Sequence, residues 1–223
     1  MFLPLITGIL AGFVHVLVGP DHLAAVGTLV ADQRRRPWKV GFFWGVGHTY
    51  GVWLIAILVL LFKAVIPIEK LTGVSEILVG ITLITIGLWS LRKALVHRIH
   101  YHEHTHGGDS HAHFHIHKSV DEQHQRATHD HTHAATGVGL LHGLAGSSHL
   151  LAVLPTAALP GWTAVAYILG YGLGSVAAMS GFSWVMGRLM SRWIAAYSNT
   201  YSIILGSFAL AAMGLGILWL VHV

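Results

Sequence analysis

The sequence predicts an all-α polytopic membrane protein: six transmembrane helices built as two three-helix units of opposite orientation, a 3+3 inverted repeat. Three observations carry this reading. Hydrophobic residues make up 54% of the chain and charged residues only 10%, against about 25% charged in an ordinary soluble domain, and the mean hydropathy is +0.63. The apolar residues gather into six runs near the ~20 residues that cross a hydrocarbon core. Two of those runs, the first and the fourth, carry the same polar signature.

The first span, roughly 2–30, has no Lys or Arg ahead of its apolar run and no clear A-x-A cleavage site, so it reads as a retained span and not a signal peptide. It is interrupted by HVLVGPDH, His15 to His22. In a straight helix these two histidines would share a face but lie ~10.5 Å apart along the axis. Pro20 removes a backbone donor and clashes with the carbonyl of Val16, yet it suits the first position of a new helix. A broken helix is therefore expected, with His15 closing one half and Asp21-His22 opening the next. Carbonyls freed near 16–19 would face the same point.

The second span, 40–62, carries Gly45-Val-Gly47-His48-Thr49, and the third, 71–96, has Glu76 near its start. The fourth, 137–158, contains His142-GLA-Gly146-Ser147-Ser148-His149. Its glycines and serines predict a looser helix, less firmly than proline does. The fifth, 162–186, holds Gly170-Tyr-Gly172, and the sixth, 201–221, holds glycines and aliphatics. The pairs Gly8/Gly12, Gly41/Gly45, Gly47/Gly51 and Gly170/Gly174 have the small-xxx-small spacing that lets helix backbones approach.

Spans one and four share H-x3-G-x2-H-L-x-A-V, offset by 127 residues, and spans two and five share G-x-G at an offset of 125. Three spans per unit is odd, so the second unit enters the membrane from the opposite side. Transporters built this way bind their substrate near the midplane, between the repeats. The units are 1–96 and 134–223, joined by 97–133. Of the 13 basic residues, 11 lie in the first, third and fifth connections. The positive-inside rule puts those connections in the cytoplasm and both termini outside, in a cytoplasmic (inner) membrane. Basic residues confined to such connections argue against nucleic-acid binding; the bilayer is the partner they imply.

The polar groups within the spans are few. Asp21 is the acidic residue deepest in a span, and the intramembrane histidines are His15, His22, His48, His142 and His149. An ionisable group there is costly and marks a functional site by default. The chain has no cysteine. Imidazoles with one carboxylate and no thiolate suit borderline divalent metals, Ni, Co, Zn or Cu, more than Mg or Ca. Core histidines bonded to neighbouring carbonyls, and a proton relay, are the alternatives. The expected metal set is Asp21, His22, His48, His15, His142 and His149, with Thr49, Ser147 and Ser148 as supporting polar groups.

The connection 97–133 holds 13 of the 19 histidines. Alternation in His100, His102, His104, His106, then His111, His113, His115, His117, then His129, His131, His133 would line them along one face of an extended strand. Short His-rich tracts read as metal-binding. With few apolar residues the segment is expected to lack fixed structure without metal, and to bind metal weakly, multiply and exchangeably. A solvated pH-sensitive linker is the bland alternative.

These residues resemble the nickel/cobalt transporter family, and more closely its short urease-accessory-type (UreH-like) membrane permeases. GPDHLAAV and LLHGLAGSSHLLAV are the most specific matches, with Gly47-His48-Thr49 beside them, and the likeness covers both halves. The longer members carry H-x4-D-H where this chain has H-x5-D-H. The resemblance implies transport of Ni2+ or Co2+ across the inner membrane, with Asp21 and His22 at the selectivity site and His48 as their partner. It implies no tightly bound cofactor: the metal is cargo, Ni2+ first, Co2+ second, Zn2+ third. Cytoplasmic metallochaperones are the protein partners to be expected.

The membrane potential favours entry of a dication by ~2.3 kcal/mol per charge per 100 mV, whereas efflux would need coupling to protons or another ion; uptake is placed ahead of efflux because the short members this chain resembles are mostly associated with nickel enzymes. A non-transporting metal-sensing or accessory protein is the alternative from another class. No Walker A motif encodes ATP hydrolysis. H-E-x-x-H is absent and Ser147/Ser148 lack a base with an orienting partner, so an enzyme is not expected.

Overall fold

The computed structural model describes residues 2–31, 36–62, 68–96, 100–106, 109–115, 132–144, 155–156, 158–196 and 200–222. Within them the elements are α1 (Phe2–Val18), α2 (Pro20–Ala31), α3 (Pro37–Phe62), α4 (Ile68–Val96), β1 (His100–His106), β2 (Asp109–His115), α5 (Thr132–Leu144), α6 (Gly161–Ala196) and α7 (Thr200–His222). Four helices are long and apolar enough to cross a membrane by themselves: Pro37–Ile57, Glu76–Leu95, Gly161–Trp193 and Thr200–His222. α1 and α2 pass together as a pair bent by 72°. The expected fourth span lies partly on α5 and partly on residues 145–154, which are outside the described residues. The chain is a helical membrane protein.

The bend has the cause the sequence predicts. The Gly19 amide still donates to His15 O at 3.1 Å and Gly19 O accepts from Leu23 at 3.3 Å, so hydrogen bonding is kept on both sides of the break. Pro20, with no N–H to offer Val16, lets α2 leave at a new angle. The two halves meet different surroundings. α1 exposes Phe2, Leu3, Ile6, Leu10, Phe13 and Val14, a lipid-facing stripe, whereas ten of the twelve residues of α2 are buried. α2 is the centre of the molecule: Val26, Leu29 and Val30 pack with Val40, Trp44, Met179 and Leu205. Ala24 and Ala25 pack with Val79, Leu83 and Ala212.

Around α2 the helices pack as four close pairs, α1 with α6, α3 with α5, α4 with α7 and α3 with α6. Glycines make this closeness possible, since without them backbone would meet Cβ. A Cβ on Gly8 would lie 2.1 Å from Tyr167 O and one on Gly174 2.0 Å from Ile9 O; on Gly47 it would lie 2.1 Å from Thr136 O and on Gly143 2.1 Å from His48 O. All four small-xxx-small pairs expected from the sequence stand at such contacts.

The same contacts give directions. Gly8 meets Tyr167 and Gly12 meets Tyr171, so α1 and α6 run parallel; Gly139 meets Trp44 and Gly143 meets His48, so α3 and α5 also run parallel. Gly41 meets Met179 and Gly45 meets Val176, so α3 and α6 are antiparallel. α1 and α5, the first helices of the two halves, therefore point in opposite directions. Gly187 packs on Pro37, which gathers the start of α3, with Arg36 and Lys39, and the end of α6, with Arg188 and Arg192, at one end of the bundle.

Two features depart from expectation. α6 continues ten residues beyond 186: no proline interrupts it, and its end carries Arg188, Ser191 and Arg192, which suit water beyond the hydrocarbon. The His-rich connection, expected to lack fixed structure, forms an antiparallel pair with His100 opposite His115, His102 opposite His113 and His104 opposite His111. Its two alternating runs flank Gly107-Gly108, a hairpin signal in its own right. His117, His129 and His131 lie outside the described residues, and His133 is exposed near the start of α5.

Candidate metal centre

Four helices, α1 and α2 on either side of the break together with α3 and α5, deliver five of the predicted polar residues to one buried place. His15 sits in the last turn of α1 and Asp21 in the first turn of α2, where the helix dipole favours a carboxylate. His22 follows it, His48 comes from the middle of α3, and His142 from the last turn of α5. His22, His48 and His142 are at most 1% exposed and Asp21 is 8% exposed. Gly19 is what lets the chain close on itself here: a Cβ would stand 2.6 Å from His22 Nδ1 and 3.1 Å from Asp21 Oδ1.

The carboxylate organises the ring next to it. His22 Nδ1 donates to Asp21 Oδ1 at 2.9 Å, which fixes the tautomer and leaves Nε2 with its lone pair. His22 Nε2 lies 3.3 Å from His48 Nε2. The His15 ring is 4.9 Å from that of His22 and 5.8 Å from that of His48. On the other side, Asp21 Oδ2 stands 3.4 Å from His142 Nε2, longer than a good hydrogen bond. Two sets of donors result, His15/His22/His48 and Asp21/His22/His142, each with its donor atoms within 4.8 Å of one another. Two donors each ~2.05 Å from an ion, at a tetrahedral angle, are about 3.3 Å apart. The His22–His48 and Asp21–His142 separations are of that size.

Thr49 is buried beside His48, but its hydroxyl donates to Gly172 O at 3.4 Å across the α3/α6 contact. His149, Ser147 and Ser148 lie outside the described residues. Two residues that sequence reasoning passed over complete the walls. Trp44, fully buried, stacks on His48 with ring centres 5.0 Å apart and planes 16° apart. It also meets His22 at 5.4 Å and His142 at 5.6 Å. Its position one helical turn before His48 was the available signal. Tyr171 lies 5.7 Å from His15, and its buried hydroxyl has no hydrogen-bond partner among the described residues.

No model of a protein family matches the chain, and no solved structure matches it. Curated proteins do. The chain is 31% identical over 189 residues to the urease accessory protein UreH of Bacillus sp. (strain TB-90), covering 81% of this chain and 74% of that protein. It is 29% identical over 213 residues to the chloroplast protein FOR GROWTH AND FERTILITY 2 of Arabidopsis thaliana, covering 95% of this chain and 54% of that protein. With FOR GROWTH AND FERTILITY 1 it shares 31% over 183 residues, 81% of this chain and 48% of that one. The chain thus spans about half the length of the two plant relatives. None of the three is named for a reaction. With three quarters of the Bacillus protein aligned at this identity, the chain belongs to the UreH-like family that its GPDHLAAV and LLHGLAGSSHLLAV segments resemble.

Proposed function

We propose that the chain is a membrane permease for a divalent transition-metal ion, Ni2+ first and Co2+ second, and that the ion passes through the buried cluster. The observation that carries the proposal is the meeting of His15, His22 and His48, from three separate helices, beside a buried carboxylate in a bundle whose outer faces are apolar. Burying such groups costs several kcal/mol unless they are paired or bind an ion. Three imidazole nitrogens suit nickel, cobalt or zinc. Asp21 serves by holding the His22 ring with Nε2 turned to the ion and by lowering the local positive charge. The UreH relative is named as a urease accessory protein, which favours nickel within that set.

The helix directions support a six-span inverted repeat. Exchanging the halves maps the α1/α6 pair onto α5/α3 and maps α4/α7 and α3/α6 onto themselves, and the two opening helices run oppositely. The gathering of Arg36, Lys39, Arg188 and Arg192 at one bundle end supports a cytoplasmic location for that end. Cation–π pairs, Lys93 over Trp89 at 3.5 Å and Arg188 by Trp184 at 4.9 Å, suit an interfacial aromatic belt. The His-rich hairpin then faces the cytoplasm, and both termini lie outside. Uptake is the direction the potential favours; cytoplasmic metallochaperones are the natural receivers.

The test is metal flux in proteoliposomes. Ni2+ or Co2+ should cross with the parent protein and stop with Asp21→Ala or His22→Ala. Flux that survives both variants overturns the site. Metal binding without flux of any divalent ion favours the non-transporting accessory role, and flux only against an imposed proton gradient favours efflux.

A further inference from the structure

We infer that the buried cluster is two metal stations sharing one histidine, and that the ion is handed between them across the His22 ring. The inference rests on the permease reading and deepens it. The first station is His15, His48 and His22 Nε2; the second is Asp21, His142 and His22 Nδ1.

The two nitrogens of an imidazole lie on opposite sides of the ring, and here each faces a different set of donors: Nδ1 is 2.9 Å from Asp21 Oδ1 and Nε2 is 3.3 Å from His48 Nε2. The carboxylate is divided in the same way, Oδ1 toward His22 and Oδ2 toward His142 at 3.4 Å. His142 and His22 rings are 5.3 Å apart, so the second station is as compact as the first.

Trp44 walls both stations on one side. It stacks flat on His48 and lies against the rings of His22 and His142, so the His22 ring is the element the two stations have in common. A neutral imidazole has a lone pair on one nitrogen and a hydrogen on the other, so His22 serves one station at a time. The stations also differ in kind. The first is all nitrogen and comes entirely from residues 15–48. The second adds a carboxylate and joins the first half of the chain to α5 of the second half. A stronger, oxygen-containing station beside an all-nitrogen one gives a permease two resting places that cannot both be filled, and so a way to release what it binds.

The experiment measures Co2+ binding to the full-length protein in detergent and Co2+ flux in proteoliposomes, for the parent, His22→Ala, His48→Ala and His142→Ala. Subtracting His22→Ala at each Co2+ concentration removes what the His-rich connection binds, since that connection is common to all. One ion is expected above this baseline in the parent. His142→Ala, which removes the stronger station, should retain it with affinity reduced about tenfold, and His48→Ala should retain it at near-parental affinity, while both lose flux tenfold or more. Adding His15→Ala should abolish the ion retained by His142→Ala and leave that retained by His48→Ala, since His15 belongs to the first set of donors alone. His48→Gln and His142→Gln stand in where an alanine variant is not monodisperse. Loss of the ion in both variants means a single site and overturns the inference. So does parental flux in His142→Ala, or two ions in the parent. Those results leave the permease reading intact; a parent with neither flux nor an ion above His22→Ala defeats both.

Discussion

Gly143→Ala, set against Gly137→Ala on the same helix, tests how tightly the metal centre depends on glycine packing. The chemical change is identical and so is the gain in helix propensity, up to about 1 kcal/mol. The surroundings differ. A Cβ at Gly137 meets nothing within 4 Å, whereas at Gly143 it falls 2.1 Å from His48 O, 2.8 Å from His48 C and 3.0 Å from His48 Cα. Ordinary contact begins at 3.4 Å, so α3 and α5 must part by about 1.3 Å, the difference of these two distances. The strain falls on the backbone of His48 itself and on the residue after His142, so both imidazoles are displaced from His22. Metal–ligand bonds tolerate deviations of about 0.2 Å, several times less than this shift. Overpacking of this size costs about 1–3 kcal/mol, partly offset by the propensity gain. The expected outcome is a lower thermal midpoint in detergent and a Ni2+ flux reduced tenfold or more for Gly143→Ala, with Gly137→Ala at or slightly above the parent in midpoint and equal in flux. Parental flux and midpoint in Gly143→Ala would refute the close α3/α5 contact and the site built on it.

Pro20→Ala restores an N–H that can donate to Val16 O and favours a straight α1–α2; flux should be lost while the protein still inserts, and full activity would mean that the 72° bend is not what gathers His15 and His22. Trp44→Leu keeps an apolar filler but removes the face stacked on His48; Ni2+ affinity read by equilibrium dialysis should fall several-fold, with Trp44→Phe recovering most of it, and equal affinity in all three would deny the indole a positioning role. Replacing His100, His102, His104, His111, His113 and His115 by glutamine removes the cross-strand pairs; total metal bound per chain should drop while flux at saturating metal persists, and abolition of flux would move the transport site to the hairpin.

Much of the site was legible because its residues are anomalous where they stand. A histidine or carboxylate in a run of aliphatics is visible without structure, since hydrocarbon penalises it, and Gly19-Pro20 beside Asp21-His22 announces a break on backbone grounds alone. The glycine pairs were legible as helix contacts for the same reason: glycine has little other use in an apolar helix. Trp44 was marked only by its place one helical turn before His48, and Tyr171 by nothing, because an aromatic residue in an apolar span is ordinary; three-dimensional proximity to the histidines is what sets these two apart. The hairpin is obscured in the sequence by a polarity that favours an unstructured chain; its signals are the alternating pattern and Gly107-Gly108.

By itself, then, the sequence determined that this is a membrane chain with a kinked first span, two related polar signatures and a metal-suited donor set, because composition, proline geometry and residue chemistry act locally. Only the tertiary structure decided which donors meet. His142 lies 120 residues from His22 along the chain, and the glycine contacts of α5 with α3 bring it to Asp21. Which oxygen of Asp21 faces which imidazole, and that His22 turns one nitrogen to each set, follows from helix directions and approach distances that no local pattern encodes.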